Sequence, residues 1–66
     1  MWWVVRALER LGFRVVRQWG SHVMLRNGAS RCVVPLHREF KRGTLGGILR
    51  QAEVHSGEFI EVLRNF

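Results

Sequence analysis

Apolar residues recur along the start of the chain with the period of a helix. Val4, Ala7, Leu8 and Leu11 share one face, and Arg6, Glu9 and Arg10 lie opposite. This predicts a helix over residues 2–11, with Trp2 projecting from its polar side. Gly12 follows, where a helix ends best on a residue free to take positive φ. The period then shortens to two. Residues 13–18 are rich in aromatic and β-branched side chains, and Trp19-Gly20 can turn the chain. Residues 21–26 alternate, with Val23 and Leu25 on one face and His22 and Met24 on the other. Asn27-Gly28 is a hairpin signal, because both positions of such a turn need positive φ. Residues 31–35 form a third strand-like run, in which Cys32 and Val34 share a face. Pro35 has no N–H for a sheet ladder, so it ends that strand or sits on an edge.

Residues 36–43 read as a basic loop. Thr44 is the expected N-cap of a helix running to about Ala52, with Leu45, Ile48 and Leu49 apolar. Gly46 and Gly47 each weaken that helix by about 1 kcal/mol relative to alanine. Ser56 is the expected cap of a last short helix bearing Phe59, Ile60 and Leu63. The order α-β-β-β-α plus a terminal helix implies an α+β fold: a three-stranded antiparallel sheet with helices on one face. The helices bury their apolar stripes there, and the other face stays wet. A chain of 66 residues forms a single domain, 1–66.

Charge adds a functional constraint. Ten arginines and one lysine face five glutamates and no aspartate, for a net charge of +6. Such an excess attracts polyanions: nucleic acid, an anionic membrane or an acidic protein. Arginine's planar fork matches phosphate and stacks on bases, whereas lysine is a point charge. Arg14, Arg17, Arg26, Arg38, Lys41, Arg42 and Arg50 form the candidate phosphate-binding pool. The lone Cys32 permits no intramolecular disulfide, and its shared face with Val34 makes it a small core hydrophobe. No secretory leader follows Met1, and no apolar run is long enough to span a membrane. A reducing, cytoplasmic setting without membrane contact is the expectation.

Many catalytic patterns are missing. Without aspartate there is no Asp-bearing triad or dyad, and one cysteine with three scattered histidines does not make a usual zinc site. Gly43, Gly46 and Gly47 fit no phosphate-loop or dinucleotide pattern. The informative stretch is Arg17-Gln18-Trp19-Gly20-Ser21-His22. It sets a histidine just past a tight turn, on the strand face opposite Val23 and Leu25. A positioned imidazole can take a proton from an attacking hydroxyl or give one to a leaving oxygen during phosphodiester cleavage. Neighbouring guanidinium groups can stabilise the charge that grows on phosphoryl oxygens.

Leu11-Gly12-Phe13, Arg17-Gln18-x-Gly20-Ser21-His22, Val34-Pro35-Leu36-His37 and Lys41-x-Gly43-Thr44-Leu45-x-x-Ile48-Leu49-x-Gln51-Ala52 occur in that order. Together they resemble the HicA (YcfA-like) toxins, small mRNA interferases of type II toxin–antitoxin systems. The resemblance implies a fold like the double-stranded-RNA-binding domain, with His22 as the catalytic residue of an endoribonuclease that needs no metal or other cofactor. It also implies mRNA as substrate, a role in stress responses and neutralisation by a HicB-like antitoxin. Gly20 and Ser21, in the matching element, are substrate-binding candidates. Arg17, Arg26, Arg38, Lys41 and Arg42 are the substrate-binding candidates nearest the matched motifs. His37 matches a recurrent family histidine and serves either a structural hydrogen bond or the active site. The chain departs from the family in having Glu53 where a glycine usually follows the Gln-Ala pair. It also has Arg42 where a proline is common, and Trp2 and Trp3 in place of a polar lead-in. Two other readings stand beside the nuclease: a non-catalytic RNA-binding module of the same fold, and a basic face that docks only an acidic protein. Trp2, Trp3 and Trp19 are candidate aromatic anchors for the antitoxin, and Trp19 can alternatively stack on a base. His55 reads as an inter-helix surface residue.

Overall fold

The computed structural model describes residues 2–36 and 42–66. Its elements are α1 (Trp2–Arg10), β1 (Arg14–Trp19), β2 (His22–Asn27), β3 (Ser30–Pro35), α2 (Arg42–Ala52) and α3 (Ser56–Arg64). The strands form one antiparallel sheet in the order β1-β2-β3. This is the α-β-β-β-α arrangement that the hydrophobic pattern predicts. The helices cover one face of the sheet. Val4, Val5, Ala7 and Leu8 of α1 meet Val23, Leu25, Cys32 and Val34 of the sheet, and Ile48, Leu49, Ala52 and Phe59 complete the core. Burial of that stripe holds α2 together despite its glycines, since helices in proteins draw most of their stability from packing.

Both hairpins use a two-residue glycine-led turn. Trp19 pairs with His22 around Gly20-Ser21, and Asn27 pairs with Ser30 around Gly28-Ala29. Only the glycines take positive φ, +55° at Gly20 and +61° at Gly28. The second turn therefore lies one residue beyond the expected Asn27-Gly28. Glycine at the first central position suits a turn that needs positive φ there alone. In the second hairpin Leu36 N–H donates to Ser21 O at 2.7 Å. Alternation of the ladder then leaves Pro35 where β2 requires no donor.

α1 and α2 end in the same hydrogen-bonded motif. Phe13 N–H reaches back to Leu8 O and Gly12 N–H to Glu9 O; Val54 N–H reaches Leu49 O and Glu53 N–H reaches Arg50 O. This motif places its penultimate residue in the left-handed region. Gly12 adopts it at φ +101° and Glu53 at φ +59°. The departure at Glu53 thus leaves the geometry intact and adds strain, against which Ser30 Oγ donates to Glu53 Oε1 at 3.0 Å. Left-handed backbone costs a residue with a Cβ about 1 kcal/mol, and the hydrogen bond returns a similar amount. Glu53→Gly should therefore change stability little in the native chain. In a Ser30→Ala background it should stabilise by about 1 kcal/mol in urea unfolding. No gain in that background would show that the positive φ carries no cost.

Three expected features differ. Thr44 is not an N-cap, because α2 begins at Arg42 and Thr44 lies within its first turn. Ser56 is helical, and the cap of α3 is His55, whose Nδ1 accepts from Gly57 N–H at 3.0 Å. Glu58 Oε1 accepts in return from His55 N–H, which closes a capping box. His55 is exposed as expected, but it has this structural task. In α3 only Phe59 is buried, while Ile60 and Leu63 are exposed and Val62 packs against the core instead. Residues 59 and 62 share the inward stripe, and Ile60 sits about 100° away from Phe59 on the helix.

Candidate functional site on the open face of the sheet

No helix among the described residues covers the other side of the sheet, and strand register determines what it displays. Directly opposed residues of neighbouring strands point to the same side. Val23, Leu25, Cys32 and Val34 point into the core, so their neighbours along each strand point outward. Three rows result. Trp19, His22 and Pro35 form the first; Arg17, Met24 and Val33 the second; Arg14, Arg26 and Arg31 the third.

Strict alternation would put Arg14 and Arg17 on opposite faces. A β-bulge between Val15 and Arg17 inserts Val16 as an extra residue and restores both arginines to the outer face. Val15 and Val16 remain exposed beside it.

His22 opens β2, immediately after the Gly20-Ser21 turn. A Cβ added to Gly20 would meet nothing within 4 Å, so the approach past the turn is open. The Trp19 indole stacks on the His22 imidazole, with ring centroids 5.7 Å apart and planes 13° from parallel. The Arg17 guanidinium lies over the indole, 5.2 Å from its centroid. Aromatic stacking and a cation over an indole both restrict side-chain freedom, each contributing on the order of 1 kcal/mol. An exposed imidazole, an aromatic plane and a guanidinium thus stand in contact at the start of one strand. Such a group can exchange a proton, hold a flat ring and neutralise an anion.

The expected site residues fall into separate sets. Arg17, Gly20, Ser21 and His22 come together at the first hairpin, and Arg26 lies on the same face two rows away. The Arg26 Nε donates to Gly28 O at 2.9 Å, which draws that side chain toward the second hairpin. His37, Arg38 and Lys41 lie outside the described residues. Arg42 is the first residue of α2, and its side chain is likewise outside them. Arg50 belongs to α2, where its guanidinium lies within 4.0 Å of the positions that Cβ atoms on Gly46 and Gly47 would take. It is not part of the sheet's rows. Arg31 was absent from the expected pool, yet its alternation with Cys32 and Val34 places it outward beside Arg26.

The three tryptophans do not form one surface. Trp19, 39% exposed, is on the sheet face. Trp2 and Trp3, each 47% exposed, belong to α1, and the Trp3 ring lies 6.3 Å from that of Phe59 in α3. A partner covering His22 can use Trp19 as an anchor, whereas Trp2 and Trp3 lie in the helical layer behind the sheet.

Cys32 plays no part in the outward chemistry. It lies on the core side of β3, and burial pushes its thiol up to about 11. Alkylation by iodoacetamide at pH 8 should run about two orders of magnitude slower in the folded protein than in urea, because the thiolate is scarce. Equal rates would show that the site is open. Among the described residues no group of three His, Cys, Asp or Glu side chains is placed to hold a metal ion. No helix among them is long and apolar enough to cross a membrane.

A family model described as "HicA toxin of bacterial toxin-antitoxin" matches residues 4–54, which include α1, the whole sheet and α2. No curated protein matches the chain.

Proposed function

The chain belongs to the HicA toxin family of bacterial toxin–antitoxin systems, and from that premise we propose that it is a metal-independent endoribonuclease that cleaves mRNA in the cytoplasm. His22 acts as general acid or base on the phosphodiester. Arg17 and Arg26 bind the RNA backbone on the same face, and Arg17 also offers its charge to the phosphoryl group at the reacting centre. Membership in the family implies an antitoxin partner. A HicB-like protein in that role neutralises the toxin by covering the open face of the sheet. Its acidic groups are steered there by the net charge of +6.

The observation that carries this reading is the Arg17–Trp19–His22 contact at the head of the sheet's arginine-bearing outer face. A surface that only binds RNA can use the arginines and the aromatic rings as a stacking platform, whereas cleavage also draws on the imidazole's capacity for proton transfer. The alternative, a binding module of the same fold, draws on the same arginines. Incubation of the purified protein with single-stranded RNA separates the two. Fragments that accumulate with time support the nuclease, and intact RNA held in a stable complex supports the module.

A further inference from the structure

The third row of the open face sets three arginines directly abreast: Arg14 opposes Arg26, and Arg26 opposes Arg31. Like charges directly opposite on a sheet destabilise it. Among the described residues no carboxylate pairs with any of the three, the ion pairs there being Arg6–Glu9 and Glu61–Arg64 on the helices. Glu53, beside β3, is engaged by Ser30 Oγ. Arg26 is also held by its bond to Gly28 O, so its guanidinium is partly ordered. A shallow hollow of about 410 Å³ adjoins the row, lined by Met24, Ala29, Arg31, Cys32, Val33 and Gln51. Its lining combines apolar side chains, the Gln51 amide, which accepts from Val33 N–H, and one guanidinium, and suits a nucleotide with a base against Met24 and Val33 and a phosphate at Arg31.

We infer that Arg14, Arg26 and Arg31 form a distal phosphate subsite for the backbone of a bound polynucleotide, separate from the reacting centre at His22. The inference rests on the nuclease reading and adds its substrate footprint. His22 and Arg26 are four positions apart on β2, or about 13 Å at the rise of a strand. A chain cut at His22 therefore meets this row only if it extends several nucleotides along the sheet. The row contributes affinity for long substrates and does not contribute to the chemical step. Without a polyanion it is a repulsive element in the fold.

The test compares a dinucleotide with a hexanucleotide of RNA as substrates for the wild type, Arg31→Gln and Arg31→Lys. Arg31→Gln should raise KM for the hexanucleotide about tenfold, as expected for loss of a charged hydrogen bond, and leave its kcat unchanged. Dinucleotide cleavage should not change. The slope of log affinity against log salt should become shallower by about 0.7 for the hexanucleotide, and Arg31→Lys should keep it. At low salt, free Arg31→Gln should melt no lower than wild type. An unchanged KM and slope for the hexanucleotide would overturn the inference, as would an equal loss on both substrates. So would an effect confined to antitoxin binding, which would assign the row to the protein partner. If the wild type cleaves nothing, the nuclease reading fails, and hexanucleotide binding by Arg31→Gln still decides the subsite. Should Arg31→Gln not fold, Arg14→Gln at the other end of the row gives the same readouts.

Discussion

His22→Ala should reduce the rate of RNA cleavage by a factor on the order of 10²–10⁴, the usual effect of removing a positioned acid or base. The loss corresponds to about 3–5 kcal/mol of activation barrier. Growth arrest on expression should disappear with it. Folding should survive, because His22 is exposed at the first position of β2 and is not part of the core cluster. The stack with Trp19 is lost in this variant, at a cost on the order of 1 kcal/mol. Circular dichroism and the melting temperature must accompany the rates, so that inactivation is not mistaken for unfolding. A folded His22→Ala protein with wild-type cleavage rates would remove the residue from the mechanism.

RNA binding should weaken steeply with salt. The open face presents Arg14, Arg17, Arg26 and Arg31. If each neutralises one phosphate of a single strand, log affinity falls against log salt with a slope of about −2.8, four times the value of about −0.7 per contact. Raising salt from about 50 to 200 mM would then lower affinity about fiftyfold. Titrations with a fluorescent RNA at several salt concentrations give the slope. A flat response would mean that these arginines do not meet RNA and that the charge serves the antitoxin.

Most of the fold can be read from the residue pattern. The helical period of Val4, Ala7, Leu8 and Leu11, the alternation around Val23 and Leu25, and the glycines at the turns each predict the element that forms. Element boundaries are less legible. Ser56 and His55 are adjacent polar residues, and only the hydrogen bond from Gly57 distinguishes the cap. Asn27-Gly28 and Gly28-Ala29 are alternative turns, and the register of Asn27 with Ser30 selects the second. The site was partly legible as well. His22 stood out from its turn and strand position, and Arg31 was available from its alternation with Cys32, although composition alone gave no reason to favour it. The common face of Arg14 and Arg17 was not legible. Their spacing of three contradicts strand alternation, and only the bulge at Val16 reconciles them. Nothing in the residue types at 14–17 announces that bulge. Glu53 shows another limit, since a charged residue occupies a left-handed position that pattern reading reserves for glycine.

The most direct test is cleavage of a single-stranded RNA in EDTA, with wild-type protein and folded His22→Ala run side by side. Wild type should yield discrete fragments at an undiminished rate in the chelator, and His22→Ala should leave the RNA intact. Loss of wild-type activity in EDTA, with recovery on adding magnesium or manganese, would contradict the metal-independent mechanism.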